Sequence, residues 1–176
     1  MSAGITLILG GSRSGKSRRA EALAAASSLP VSYVATCDTS LMDGEMRARV
    51  DQHRGRRPAD WRTIEDRFDL PKVLGEQRGR LLLVDCLTLW LAWQQMQQRA
   101  EDETLGELDA VLGAAPQHVP ELILVSNELG MGIVPASSES RGFRDLCGRA
   151  NQLAASRAAR VELMIAGLPL VLKGGA

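Results

Sequence analysis

Apolar residues in this chain gather into short aliphatic runs, separated by stretches in which they recur at helical spacing. The first run, residues 5–9, reads as a strand, and glycines follow it. Residues 17–26, rich in Ala and Leu, then read as a helix. Residues 31–35 predict a second buried strand, and 43–53 a helix that is polar around most of its circumference, with Met46 and Val50 four apart. Residues 61–64 predict a short strand, 70–76 a helix opened near Pro71, and 81–84 an aliphatic strand ending in Asp85. The strongly apolar 87–98, with Trp90 and Trp93, predicts a helix, and 105–112 a separate amphipathic one after the charged residues 101–103. Residues 122–126 read as a strand, 130–138 as a Gly, Pro and Ser loop, and 142–159 as a long helix. Residues 161–166 and 168–172, broken by Gly167 and Pro169, predict a closing hairpin.

Strands alternating with helices imply an α/β class. The expected architecture is a mainly parallel sheet with helices on both faces and ligands at the C-terminal ends of the strands. No repeat, low-complexity tract or long linker divides the 176 residues, so one catalytic domain spanning 1–176 is expected. Lys plus Arg number 21 and Asp plus Glu 21, which leaves no global field for nucleic acid or membrane. No apolar stretch approaches the roughly 20 residues of a membrane span, and the residues before Ile5 lack a signal-peptide pattern. A cytoplasmic protein, not integral to a membrane, is the expectation. Cys37, Cys86 and Cys147 are odd in number and widely spaced, as free thiols are, and His53 and His118 stand far apart. Magnesium is the metal to expect.

The most telling motif is Gly10-Gly11-Ser12-Arg13-Ser14-Gly15-Lys16-Ser17, a complete phosphate-binding loop between a strand and a helix. Its glycines let backbone N–H groups turn inward on phosphate oxygens. Lys16 reaches the outer phosphates, the Ser17 hydroxyl holds magnesium, and the helix N-terminus adds positive potential. Asp85, at a strand end, suits the same magnesium. The Asn-Lys-x-Asp sequence that reads guanine in switch GTPases is absent.

Arg47, Arg49, His53, Arg54, Arg56 and Arg57 form the one concentrated basic segment of a neutral chain. From composition alone it reads as a solvated helix with a cationic end. A sharper alternative makes neutral His53 a nucleophile toward phosphorus, with the guanidiniums neutralising the phosphates and the departing pyrophosphate. His118, between Gln117 and Val119-Pro120, is expected in a loop with no role.

In these residues and several further segments, the chain resembles the bifunctional adenosylcobinamide kinase and adenosylcobinamide-phosphate guanylyltransferase family of cobalamin biosynthesis. The resemblance rests on the phosphate loop, on Tyr33-Val34-Ala35-Thr36, on Arg49-Val50-Asp51-Gln52-His53 with Arg57-Pro58, and on Trp61-Arg62-Thr63-Ile64-Glu65. It continues through Asn127-Glu128-Leu129-Gly130-Met131-Gly132-Ile133-Val134-Pro135, Phe143-Arg144-Asp145 and Gly148-Arg149-Ala150-Asn151-Gln152. It implies a P-loop NTPase fold similar to RecA, assembled as a homotrimer with a nucleotide site near the subunit boundary. It also implies phosphorylation of adenosylcobinamide, using ATP or GTP, and then transfer of GMP from GTP through a guanylylated histidine, whose matching position is His53. By the same carry-over Arg54, Gly55, Arg56, Arg57 and Glu65 bind the guanine nucleotide, with Ala35, Thr36, Cys37 and Asp85 completing the site. Family members carry Glu as well as Asp at position 85, and Thr is common where Ser126 stands.

Two other functions fit parts of the pattern. A simpler P-loop kinase would use the arginine helix as a lid, with His53 a bystander. A nucleotide-gated RNA-binding module would need a wider basic surface and an aromatic platform, whereas aromatic residues are 3% of the chain.

Overall fold

The computed structural model describes residues 4–38, 44, 50–51 and 54–175. Its centre is a seven-stranded sheet in the order β3-β2-β4-β5-β1-β6-β7. The strands are β1 (Gly4–Gly10), β2 (Val31–Ala35), β3 (Arg62–Glu65), β4 (Leu81–Asp85), β5 (Glu121–Asn127), β6 (Arg160–Ile165) and β7 (Leu168–Lys173). The first six run parallel, and β7 returns antiparallel to β6.

Strand alternation divides the core in two. Leu7, Leu9, Leu82, Val84, Leu122 and Leu124 point to one face, while Ile8, Leu81, Leu83, Ile123 and Val125 point to the other. The first face is covered by α2 (Leu70–Glu76), α3 (Leu87–Met96), α4 (Glu101–His118) and α5 (Ser138–Arg157). The second carries α1 (Lys16–Ala26), through Ala20 and Ala24. Because both faces are covered, the central strands are aliphatic almost throughout, as parallel strands buried on two sides must be. The Trp90 side chain is fully buried and donates its indole N–H to the Phe68 carbonyl at 2.8 Å, and Trp93 stacks on the Phe68 ring at 4.6 Å. These contacts fix α3 to the segment between β3 and α2.

Several boundaries move from those expected. Helix α4 begins at Glu101, because Glu101, Asp102 and Glu103 form its first turn, where carboxylates complement the helix dipole. His118 is the last residue of that helix and not part of a loop; Pro116 is accommodated in the final turn. Helix α5 begins at Ser138, because the Ser137 hydroxyl accepts the Ser140 N–H at 3.1 Å and caps it. Helix α3 stops at Met96 and β3 runs one residue later than expected. Of the helix expected over 43–53, Gly44, Val50 and Asp51 are helical, and so are Arg54, Gly55 and Arg56 beyond it. Met46 and His53 lie outside the described residues.

The two-residue turn of the closing hairpin has Ala166 at φ 52° and Gly167 at φ 82°, the pair of positive values that matches the twist of the flanking strands. Its edge strand β7 leaves Leu168, Leu170 and Leu172 exposed. Among the described residues no helix is long and apolar enough to cross a membrane.

Candidate functional site

The tips of β1, β4 and β5 define the site, because β5 lies between the other two in the sheet. Gly10 ends β1 at φ 152°, and a Cβ there would stand 2.6 Å from the Ser14 hydroxyl and 2.7 Å from the Met164 carbonyl. No larger residue fits without moving the loop. Gly15, at φ 98°, starts α1 in a conformation that side chains disfavour. Between them Arg13 takes φ 56°. The Ser14 hydroxyl is buried with no hydrogen-bond partner among the described residues, as expected of a group turned into an anion cradle. The loop also has a support that no local pattern announced: the Gly167 N–H of the hairpin turn donates to the Ser14 carbonyl at 3.0 Å.

Lys16 is 8% exposed and donates to the Gly11 carbonyl at 2.7 Å, folding its ammonium back over the loop. Burial pushes that ammonium below its ordinary value, against the pull of Cys86 and Asp85. Ser17 follows in the first turn of α1, and Gly11 and Ser12 are exposed at the rim.

Asp85 closes β4, where its carboxylate accepts the Tyr33 hydroxyl at 2.6 Å. Burial, and then the Asp85 charge, raise the Tyr33 phenol well above the usual range, so it remains a donor. The Ser17 hydroxyl and the Asp85 carboxylate are hard oxygen donors, the kind that could hold magnesium beside a phosphate. Among the described residues no three His, Cys, Asp or Glu side chains gather into a metal cluster.

Thr36 and Cys37 follow Ala35 at the tip of β2. The buried Thr36 hydroxyl donates to the Cys86 carbonyl at 2.6 Å and accepts the Cys86 N–H at 2.7 Å. That hydroxyl pins the β2 and β4 tips together. Burial pushes the Cys86 thiol up to about 12, which keeps it neutral beside Lys16. Cys37 is half-buried.

The arginine segment reaches the same tips. The Arg57 guanidinium lies over the Tyr33 ring, 3.7 Å from its centroid, so one aromatic side chain links it to Asp85. Its Nε is buried without a hydrogen-bond partner among the described residues. Arg54 clasps the Glu65 carboxylate through two bonds of 3.1 and 2.6 Å, tying the segment to the tip of β3. Arg56 stands 3.5 Å from Glu21 on α1, and Gly55 between them is exposed. Arg47 and Arg49, like His53, lie outside the described residues.

These features match a family model described as cobinamide kinase / cobinamide phosphate guanyltransferase, over residues 6–172. The chain belongs to this family. It is 49% identical over 173 residues to the bifunctional adenosylcobalamin biosynthesis protein CobP of Pseudomonas aeruginosa, covering 96% of each. It is 36% identical to the bifunctional adenosylcobalamin biosynthesis protein CobU of Escherichia coli, covering 95% of this chain and 98% of the relative. Among solved structures, an ATPase from the type III secretion system of pathogenic bacteria aligns with a TM-score of 0.58 at 12% identity. That alignment covers 96% of this chain and 56% of the ATPase, and it shows a shared P-loop fold. As a member of the cobinamide kinase / cobinamide phosphate guanyltransferase family, the protein is a bifunctional enzyme of cobalamin biosynthesis, at once a kinase and a guanylyltransferase.

A buried charge supports the site of this cobinamide kinase from below. Glu162 on β6 has no exposed surface and accepts Arg19 of α1 at 2.7 and 2.9 Å and Arg160 at 2.8 Å. The Arg19 bonds hold its carboxyl below the usual range, against the burial that raises it. Glu162→Gln is expected to cost about 2 kcal/mol at pH 7, less than a fully buried pair because both arginines are about a third exposed. A depressed native pKa stabilises above the unfolded value of about 4.5, and that stability is lost as pH falls through the native value. Thermal melts of the two proteins should therefore converge at acid pH, and a gap that stays constant would refute the assignment.

Proposed function

We propose that this chain phosphorylates the terminal hydroxyl of adenosylcobinamide and then transfers GMP from GTP to that phosphate through a guanylylated His53, all within one catalytic domain. The observation that carries this reading is the physical link between two anion-binding elements. The phosphate loop with Asp85 and the arginine segment 54–57 meet through Tyr33, which bonds Asp85 and carries Arg57 on its ring.

In the first reaction, ATP or GTP lies in the loop, with the backbone of Gly11, Ser12, Arg13, Ser14 and Gly15 and the Lys16 ammonium around its phosphates. Lys16 exchanges its bond to Gly11 for the phosphate oxygens. Magnesium, held by Ser17 and Asp85, would neutralise charge that develops between the outer phosphates. In the second reaction, a His53 nitrogen attacks the α-phosphorus of GTP and pyrophosphate departs with the bonding electrons. The phosphorylated corrinoid then takes the GMP group, freeing the imidazole. Arg54, Arg56 and Arg57 supply the positive charge this step needs. Glu65, clasped by Arg54, offers a carboxylate suited to the adjacent N–H donors of guanine. Ala35, Thr36 and Cys37 complete the wall at the tip of β2.

GTP labelled at the α-phosphorus tests the covalent step. The wild-type protein is expected to retain an acid-labile label after denaturation and to release it on addition of adenosylcobinamide phosphate. A protein that forms adenosylcobinamide-GDP without ever holding label would refute the histidine route.

The active form in this proposal is a cytoplasmic homotrimer. The row of exposed Leu168, Leu170 and Leu172 on edge strand β7 supports association, since an apolar edge left open is a liability for a monomer. Sedimentation equilibrium should return three times the 19.0 kDa chain mass. A monomeric mass at working concentrations would reject the trimer.

A further inference from the structure

Beyond β5 the chain enters residues 128–137, and the first of these residues stands against the start of the phosphate loop. Its backbone N–H donates to the Gly10 carbonyl at 3.0 Å, so Glu128 begins beside the first glycine of the phosphate loop. On the other side of β5 runs β4, whose last residue, Asp85, is in register with Val125, three residues before Glu128.

The direction of the Glu128 side chain follows from strand alternation. Leu122 and Leu124 face the helices α2 to α5, Ile123 and Val125 face α1, and the Ser126 hydroxyl meets Thr88 of α3 at 3.3 Å. The even-numbered side of β5 therefore faces α3 and α5. Glu128 continues that side, and its charge acts on the buried Cys147 thiol of α5, secondary to burial in raising it. One carboxylate oxygen accepts the Gly130 N–H at 2.7 Å, which fixes the group while leaving further lone pairs to accept.

On this side opens a cavity of about 540 Å³, lined by Gln95 of α3, Leu129 and Pro135 of the loop, and Ser140, Phe143 and Arg144 of α5. Leu129 lines this cavity while the preceding Glu128 N–H bonds the Gly10 carbonyl, so residues 128–129 run from the phosphate loop to the cavity wall. The arginine segment, in contrast, reaches the strand tips along Tyr33, whose ring packs with the α1-side core. The cavity and the arginine segment thus lie on different sides of the strand tips. The cavity mixes apolar walls with amide, hydroxyl and guanidinium groups, and exposed Met131, Ile133 and Val134 stand on the same loop. Such a surface suits a large, partly apolar acceptor whose rim carries amides.

We propose that Glu128 is a catalytic residue of the kinase reaction, accepting the proton of the cobinamide hydroxyl as that acceptor lies in the cavity between α3, residues 128–137 and α5. The inference rests on the kinase half of the function above. The acceptor oxygen bonds to the γ-phosphorus while the bond from that phosphorus to the β,γ-bridging oxygen breaks. Its electron pair leaves with the nucleoside diphosphate, and the hydroxyl proton passes to the free Glu128 oxygen and then to water.

Glu128→Gln keeps an acceptor for the Gly130 N–H but removes the base. The kinase kcat is expected to fall about 10²-fold or more. Its acid limb in the pH profile should flatten, while GMP transfer to supplied adenosylcobinamide phosphate persists. A second variant, Ser140→Trp, narrows the cavity and leaves the backbone cap of α5 in place; it should raise the KM for adenosylcobinamide and not the KM for the nucleotide. A Glu128→Gln kinase with wild-type kcat and an intact acid limb would overturn the assignment of the base. An unchanged corrinoid KM in Ser140→Trp would overturn the acceptor cavity. A wild-type protein unable to phosphorylate adenosylcobinamide at all would remove the parent reading, and this one with it.

Discussion

Replacing Lys16 by alanine should lower kinase kcat/KM by about 10²- to 10³-fold, roughly 3 to 4 kcal/mol of transition-state stabilisation, the scale seen when one preorganised donor is removed from developing charge. The ammonium is nearly buried, bonded to the Gly11 carbonyl, and held below its ordinary pKa by desolvation. A base with a depressed native pKa weakens the folded state at pH 7, because the native chain holds its proton less tightly than the unfolded one. Lys16→Ala should therefore lose activity while its melting temperature stays level or rises. That pairing separates a functional lysine from a structural one, for which activity and stability would fall together. Steady-state kinetics beside a thermal melt decides the matter, and undiminished turnover would remove Lys16 from the phosphate site.

His53→Ala should abolish the covalent guanylyl label and reduce formation of adenosylcobinamide-GDP on the order of 10⁴-fold or more, as deletion of a nucleophile does. Phosphorylation of adenosylcobinamide should persist, because the phosphate loop, Asp85 and Glu128 stand at the ends of β1, β4 and β5 and not on the arginine segment. The two variants form a cross: one strikes the kinase, the other only the second transfer. Quantifying adenosylcobinamide phosphate and adenosylcobinamide-GDP from the same incubation reads both. Label retained in His53→Ala would move the nucleophile elsewhere, and loss of both products would merge the two reactions into one site.

Local patterns explain why much of this was legible without a structure. The phosphate loop is eight consecutive residues whose glycines are demanded by backbone geometry, so the motif and its conformation are the same statement. The central strands were plain because a parallel sheet covered on both faces needs unbroken aliphatic runs. Asp85 could be placed at a strand end by the abrupt change from Leu81-Leu82-Leu83-Val84 to a carboxylate. Boundaries were harder where charge and helix coincide. Glu101, Asp102 and Glu103 interrupt the apolar pattern, yet they are favourable at a helix N-terminus. Ser137 caps α5 by a hydrogen bond that composition renders as part of a loop.

Partnerships between distant residues had no local signal. Glu162 and Arg19 are 143 residues apart, and nothing in either neighbourhood points to the other. The Gly167 turn under the phosphate loop, the Arg57 guanidinium on Tyr33 and the Tyr33 bond to Asp85 are of the same kind. Glu128 was visible only as one letter of a family motif, and strand order gave it a place beside Gly10 and a face toward α5.

The amino-acid sequence by itself determined the class of fold, the grip on phosphate and the presence of a basic segment, because each depends on residues within a few positions of one another. The tertiary structure alone decided which tips lie side by side, since sheet order brings β5 between β1 and β4 across more than a hundred residues of chain. Chemistry at this site depends on that adjacency, and adjacency in a sheet is a property of the whole packed core.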